Sequence, residues 1–301
     1  MSFPIHEVVR ILPSVAFVCR QSPDWHSLSQ DQRRGARIDP ARYLPDHRIP
    51  GFPDGVDLLI AEWNRRFAID FFTFRYAVAE LSRRSIVAIP GARVFTFDRL
   101  AAVADYAAHH ESYVYFHDDD DFFAPNLPQV ICSAKTKPDA IVTPLFRLGR
   151  DGHSTFVRDQ CTPDFLWGRR KPHKFRYQSN NYGLSSRRCT NLADLASLKD
   201  HVLASRHADQ SGYRDEILPS VVSATVKTPA SASMLPILRG GPDCHRAAFE
   251  KFIADCQRAD ELPSSCSWIS EPLRVIRRLV SSAYRGEGCD SIGDLLGEER
   301  S

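Results

Sequence analysis

Four consecutive aspartates, residues 118–121, are the strongest candidates for chemistry in this 301-residue sequence. They follow the apolar run Tyr113–Phe116 and His117. In extended backbone, side chains at i and i+2 share a face, so Asp118 and Asp120 are expected to point together into a cleft. Crowded carboxylates raise one another's pKa values unless a cation offsets their repulsion. Asp118 and Asp120 are therefore predicted ligands for Mg²⁺ or Mn²⁺, which favour carboxylate oxygens.

The expected partner of such a metal is the diphosphate of a nucleotide, because these ions complete their coordination with water and phosphate oxygens. The alternative interpretation is a solvated acidic turn, or helix N-caps for the segment that follows. An EF-hand loop that starts at Asp118 is excluded, because Phe123 stands where that loop needs glycine and Gln129 where it needs glutamate.

The segment from Asp118 to Leu127 resembles the signature of GT-A-fold glycosyltransferases: an apolar strand, then Asp-x-Asp-Asp, two apolar residues and a nearby proline. The resemblance implies transfer of a sugar from a nucleoside-diphosphate sugar to an acceptor hydroxyl. In that register Asp120 would be the direct metal ligand, and Asp118 would lie near the donor ribose or a metal-bound water. Asp121 would support the turn. In size the chain is similar to bacterial surface-polysaccharide transferases, including rhamnosyltransferases.

The same resemblance implies a catalytic acid later in the chain, and its counterparts here are Asp215 and Glu216. In an inverting transferase one carboxylate removes the proton of the acceptor hydroxyl. A glycine-containing turn, Gly212, precedes the pair and could hold either acid in position. Asp209 is the nearby alternative. Inversion at the anomeric carbon is the expected outcome.

Further binding residues are expected around the donor. Arg20 follows the first predicted strand, where the family contacts the donor base, and Arg169 opens a basic segment that could neutralise a diphosphate leaving group. Asn181 and Tyr182 could bind sugar hydroxyls and stack on a pyranose ring. The resemblance implies His245 as a third metal ligand. The alternatives are a solvated basic loop, an ordinary turn before a strand, and a histidine with no ligand role.

The elements that must position these residues alternate between strand and helix patterns, which predicts an α/β fold. We expect a GT-A-like mixed sheet flanked by helices over residues 1–240 and a helical C-terminal extension over 241–301. Residues 30–55 show no periodicity and are interpreted as a functional flap or an insertion. The predicted strands cover 14–19, 85–89, 113–116, 140–146 and 221–228, and the predicted helices cover 57–84, 97–109, 192–206, 245–256 and 271–285.

Composition excludes several classes of protein. The chain has 39 Lys and Arg against 37 Asp and Glu, a net charge of +2, which gives no overall field for nucleic acid. With 43% hydrophobic residues it can bury a core. The eight scattered cysteines contain no C-x-x-C pair, which argues against a zinc cluster and fits a reducing cytoplasm.

Membrane contact is expected to be peripheral at most. The N-terminal residues do not resemble a secretory signal, and no apolar run approaches the roughly 18 residues that a membrane span needs. The predicted helix Glu271–Arg285 carries apolar residues on one face and arginines elsewhere. It could lie on the inner face of a membrane beside a lipid-linked or other glycan acceptor, or it could dock on its own domain.

Two competing functions stay open at this point. Clustered aspartates at a strand end also serve metal-dependent phosphohydrolases and nucleotidyltransferases. A sugar-nucleotide-binding module without turnover is the second competitor. The sequence has no P-loop and no G-x-G-x-x-G fingerprint, so it does not support a dinucleotide-binding protein.

Overall fold

The computed structural model describes residues 14–19, 71–96, 99–148, 177, 180–198, 201–228 and 264–285, with isolated positions at 247, 250, 252, 254 and 262. These residues form a mixed α/β fold of two sheets and flanking helices. The predicted fold class is therefore confirmed at the level of α/β. The predicted boundary near residue 240 and the segment 30–55 lie outside the described residues.

The larger sheet has six strands in the order β2-β1-β3-β7-β5-β8. Strand β7 is antiparallel to both of its neighbours, and the other pairs are parallel. The strands are β1 (Ser14–Cys19), β2 (Arg93–Thr96), β3 (Ser112–His117), β5 (Ala140–Val142), β7 (Tyr182–Ser185) and β8 (Asp215–Ile217).

A smaller sheet carries the chain beyond the aspartates. Its order is β4-β9-β6, with β4 antiparallel to β9 and β6 parallel to β9. The sequence predicted one strand over 140–146, but Pro144 cannot donate a ladder hydrogen bond and the segment divides between the two sheets. The strands are β4 (Asp121–Phe123), β6 (Leu145–Leu148) and β9 (Ser223–Val226).

Helices cover both faces of the larger sheet. Successive residues of a strand point to opposite faces, and in β1 the residues of both faces are apolar. Ala16 and Val18 face a core shared with α2, α4 and α5, while Val15 and Phe17 face a core shared with α1 and α3. The helices are α1 (Phe71–Val87), α2 (Leu100–His109), α3 (Leu127–Cys132), α4 (Leu192–Ser197), α5 (His201–Gln210) and α6 (Ser270–Arg285).

The predicted strand at 85–89 is wrong, because α1 continues through Val87. Ile86 is buried on the helix face that packs on the sheet, and Ile89 is buried just beyond the helix end. The apolar run therefore serves a helix that docks on the sheet, and tertiary packing overrides the β propensity of its residues.

Helix α6 docks on the rest of the chain. Leu273, Ile276 and Leu279 are fully buried, and the helix contacts α1. Trp268, in the preceding 3-10 turn, donates from Nε1 to the carbonyl oxygen of Val221 at 3.1 Å. The apolar face that could have met a membrane is thus covered by protein. None of the described helices is long and apolar enough to cross a bilayer.

Candidate functional site

The aspartate run lies where the connections of the larger sheet change direction. Strands β1 and β3 are parallel neighbours whose last paired residues are Cys19 and His117. From β1 the chain proceeds to β2 on one side, and from β3 it proceeds to β5 on the other. Open α/β sheets bind ligands outside the carboxyl ends of their strands at such a switch point. Asp118 is the first residue after β3 at this crevice.

The four aspartates form a tight turn rather than an extended strand. The backbone N–H of Asp121 donates to the carbonyl oxygen of Asp118 at 3.2 Å, and the Asp118 N–H donates to Asp121 Oδ2 at 2.8 Å. The expected alternation of Asp118 and Asp120 on one face therefore does not hold, because it assumed extended backbone. Instead, each of the four carboxylates has its own environment.

Asp120 is held by a lysine. Both carboxylate oxygens of Asp120 lie 2.9 Å from Nζ of Lys227, and Asp120 is only 5% exposed. Burial raises the pKa of Asp120; Lys227 opposes that shift, and the neighbouring Asp119 and Asp118 add to it. The predicted metal ligand is therefore the partner of the partly buried ammonium group of Lys227.

Lys227 is charged in this setting. Burial alone lowers the pKa of a lysine, but Asp120, Asp121 and Asp118 together raise the pKa of Lys227 above its ordinary value. Its backbone position is fixed by a bond from its N–H to the carbonyl oxygen of Leu148 at 2.8 Å. Removing one member of such a pair leaves an uncompensated buried charge, which is strongly destabilising.

Helix α1 fixes the turn from the other side. Nη2 of Arg75 lies 2.8 Å from Oδ2 of Asp119, and both side chains are partly buried. Ser82 donates its hydroxyl to the carbonyl oxygen of Asp121, and Ser85 accepts from the N–H of Phe123 at 3.3 Å. One face of α1 thus holds a charge partner and two hydroxyl anchors for the acid run.

Asp121 is fully buried and belongs to a hydrogen-bonded chain between the sheets. Oγ1 of Thr225 lies 2.7 Å from Oδ1 of Asp121 and 3.2 Å from Oδ1 of Asn180. The amide of Asn180 is oriented by its bond to the carbonyl oxygen of Ala224 at 3.3 Å. A hydroxyl has one proton to donate, so a proton on Asp121 would allow both contacts to be made at once.

The electrostatics favour the neutral form of Asp121. Burial, with Asp118 and Asp120 adding to it, raises the pKa of Asp121 well above its ordinary value. A proton on Asp121 would let the acid donate to Thr225 and leave the Thr225 hydroxyl to donate to Asn180. Asp121 is thus a structural joint between β4 and β9, which fits the turn-supporting role implied for it.

The carboxylates of the aspartate turn are the expected ligands for Mg²⁺ or Mn²⁺. Carboxylate oxygens suit these ions, but Lys227 covers both oxygens of Asp120. Asp119 pairs with Arg75, and Asp121 is buried and bonded on both oxygens. The arrangement does not fit a metal on Asp120. Over the described ranges, no group of three or more His, Cys, Asp or Glu residues is placed to hold an ion.

The predicted catalytic acids lie far from this turn. The strand register places Asp215 level with Val114, through Leu184 and Ala140. Three strand spacings across and four residues along separate it from Asp118, about 14 Å and about 13 Å respectively. The hydroxyl of Tyr177 donates to Oδ1 of Asp215 at 3.2 Å. The structure does not bring Asp215 to the aspartate run.

Glu216 is engaged in holding a loop. Its carboxylate accepts from the backbone N–H groups of Lys135 and Thr136 at 2.6 and 3.0 Å, and from the Thr136 hydroxyl at 2.7 Å. Partial burial raises the pKa of Glu216, but these bonds outweigh it and hold the pKa below its usual value. A low pKa suits an anchor and weakens a general base.

Asn181 and Tyr182 are core residues. Asn181 is buried and donates from Nδ2 to the carbonyl oxygen of Thr143 at 3.0 Å. The Tyr182 ring is fully buried and stacks on Tyr177, with ring centroids 4.1 Å apart. A Cβ at the next residue, Gly183, would overlap the Tyr115 ring. The expected sugar-stacking surface is therefore packed inside the protein.

Four residues that sequence reasoning missed build the site: Arg75, Asn180, Thr225 and Lys227. The one available signal was Lys227, near the end of a predicted strand, 221–228, that has no other charged residue. A lysine withdrawn from solvent in a strand requires an acid, and the aspartate run supplies several. The other predicted residues, Arg20, Arg169 and His245, lie outside the described residues and stay predictions.

The chain was also compared with known proteins. No protein-family model matches it, and no curated protein is similar to it.

Proposed function

We propose that this protein transfers a sugar from a nucleoside-diphosphate sugar to an acceptor hydroxyl, with a GT-A-like arrangement of its sheet. The observation that carries the proposal is the acid turn at the switch point between the carboxyl ends of β1 and β3. That crevice is where open α/β sheets hold nucleotides. The resemblance of the segment after β3 to the family signature supports the same conclusion.

Asp118 is the residue proposed to meet the donor. Its carboxylate is half-buried at the mouth of the crevice, whereas Asp120 and Asp121 are buried behind it. A carboxylate at this place accepts hydrogen bonds from the ribose hydroxyls of a nucleotide. Its role is to orient the donor against the ends of β1 and β3.

The described cluster does not itself attract a diphosphate. Among the described contacts, Lys227 pairs with Asp120 and Arg75 pairs with Asp119, so both of these cations are already engaged by acids of the turn. Cations from elsewhere must therefore hold the phosphates. We propose Arg169 for that role, because a guanidinium group matches phosphate oxygens in geometry and charge, and Arg20 for contact with the donor base.

Mg²⁺ or Mn²⁺, expected on Asp118, Asp120 and His245, would supply charge neutralisation of the diphosphate leaving group. The described contacts of Asp120 do not fit a metal, so the proposed reaction does not depend on a metal ion at Asp120. The acceptor is proposed to lose its proton to a carboxylate, with inversion, and to be a glycan or a lipid-linked sugar. The proposed compartment is the cytoplasm, and a lipid-linked acceptor would place the protein at the inner face of the membrane.

The proposal is tested with a panel of nucleotide sugars, on wild-type protein and on Asp118→Asn. Donor affinity from calorimetry and release of nucleoside diphosphate are both expected to fall at least tenfold in the variant, because an amide cannot accept as strongly from ribose hydroxyls. Asp105→Asn, an exposed acid on α2, is the matched control and should behave as wild type. Unchanged donor binding and turnover in Asp118→Asn would refute the proposal.

A further inference from the structure

The Asp120–Lys227 pair is built into the backbone of the smaller sheet. The N–H of Val226 donates to the carbonyl oxygen of Asp120 at 2.9 Å, and the N–H of Lys227 donates to Leu148 at 2.8 Å. These bonds fix the two Cα positions on neighbouring strands. The ammonium group then meets both oxygens of Asp120 at the same distance, 2.9 Å. This is a fixed contact and not a mobile surface pair.

A divalent cation and this ammonium group compete for the same oxygens. Asp120 is buried, and the Lys227 side chain is 20% exposed, so solvent screens the pair only weakly. Two cations cannot share one carboxylate at hydrogen-bond distance without strong repulsion. Lys227 is also covalently attached to the protein, so its ammonium group stays beside Asp120 at every metal concentration.

Two of the other acids of the turn give a metal little help. Arg75 lies on Asp119, and buried Asp121 is bonded on both oxygens, by the Thr225 hydroxyl and by the N–H of Asp118. A metal that displaced Lys227 would also leave a buried ammonium group without its partner, which is costly. The local balance therefore favours the lysine.

We infer that Lys227 is the resident cation of the aspartate turn, occupying the position at Asp120 that a divalent ion would otherwise take. Asp120 then serves to hold an ammonium group, and the protein's own lysine replaces a metal there. The inference concerns the site of the proposed function, but it rests on the ion pair and does not require that the protein transfer sugar.

The test measures Mn²⁺ binding by calorimetry and by electron paramagnetic resonance, without nucleotide. The proteins compared are wild type, Lys227→Met, Asp120→Asn and the double variant. Methionine keeps the length of the lysine without its charge. In Lys227→Met the affinity for Mn²⁺ should rise at least tenfold, and the double variant should lose that gain. The single variant Asp120→Asn, which keeps Lys227, should have the same Mn²⁺ affinity as wild type.

Two results overturn the inference. One is an unchanged Mn²⁺ affinity in folded Lys227→Met, and the other is a tenfold loss of Mn²⁺ affinity caused by Asp120→Asn alone. The second arm decides the matter if Lys227→Met does not fold, because asparagine is close to aspartate in size and keeps one oxygen that can accept from Lys227. Lys227→Arg, which keeps the charge, should bind Mn²⁺ as wild type does. None of these readouts depends on turnover, so they fail independently of the proposed function.

Discussion

Two acidic groups at opposite ends of the larger sheet differ in how their charge is balanced. At the amino end of β5, buried Asp139 accepts from Nε of Arg188 at 2.9 Å and from the backbone N–H of Arg214 at 3.0 Å, with Arg187 also 3.1 Å away. Burial alone would raise its pKa, but these partners lower the pKa of Asp139 to about 2.

At the carboxyl end of β3 the balance is reversed. Among the contacts of the described residues, Asp120 pairs with Lys227 and Asp119 with Arg75, and burial raises the pKa of both Asp120 and Asp121. The ion pairs of Asp139 at the amino end therefore stabilise the fold, whereas the turn at the carboxyl end contains acids whose ionisation is unfavourable. Such a cost is typical of a functional site, which is why the carboxyl end is the candidate site and the amino end is not.

The largest expected effect is a loss of unfolding free energy when Asp139, at the amino end of β5, is replaced. Asp139→Asn removes the anion that holds Arg187 and Arg188, so the free energy of unfolding at pH 7 should fall by about 2–3 kcal/mol. The pKa of Asp139 is lower in the folded protein, so its contribution is present above the unfolded value of about 4 and is lost as pH falls towards about 2.

Urea unfolding at pH 7 and at pH 3 measures this effect, with exposed Asp105→Asn as the matched control. The difference between Asp139→Asn and wild type should shrink at pH 3. Equal stability of the two proteins at pH 7 would contradict the contrast between the two ends of the sheet.

An effect of opposite sign is expected at Asp121. Asparagine mimics the protonated acid, because its amide donates to Thr225 and its carbonyl oxygen accepts from Asp118. The native pKa of Asp121 is raised, so its contribution is fully present below the unfolded value of about 4 and is lost as pH rises through the native pKa.

As pH rises through that window, wild type should lose up to about 1.4 kcal/mol of unfolding free energy per pH unit. Asp121→Asn should not show this loss. Unfolding free energies measured from pH 4 to pH 8 give the slope. The variant should match wild type near pH 4 and exceed it at higher pH. A variant that is less stable than wild type throughout would show that Asp121 is ionised in the folded protein.

How much the sequence could predict depends on the range of the interaction. Strand β1 was predicted with its observed bounds, and β3 to within one residue at each end, because buried strands are apolar runs that local pattern reveals. Two interpretations of Asn181 and Tyr182 stayed open, a sugar-binding surface or an ordinary turn before a strand, because these polar residues give no sign of burial; the structure has strand β7 there. Their partners, Thr143 and Tyr177, are fixed only by the sheet order.

The site itself could be predicted only in part. The aspartates and their position after a strand are local facts, and they were correct. Lys227 lies 107 residues after Asp120, and the register of β4 against β9 alone brings them together. Arg75 reaches Asp119 because α1 packs on β4, which no spacing along the chain indicates. Local composition identifies the acids, and long-range pairing decides what each acid does.

The smallest expected effect is at Glu216, where the family resemblance and the geometry disagree. If Glu216 is an anchor, Glu216→Gln should leave turnover within twofold of wild type, because the carboxylate lies about as far from the acid turn as Asp215 does. Stability should fall by about 0.5–1 kcal/mol, because a neutral amide oxygen accepts less strongly from Lys135 and Thr136 and the contact is open to solvent. Glu111→Gln, an exposed acid paired with Lys137, is the matched control. A tenfold loss of turnover with unchanged stability would instead assign Glu216 as the base, and would require an acceptor bound near β8 rather than at the end of β3.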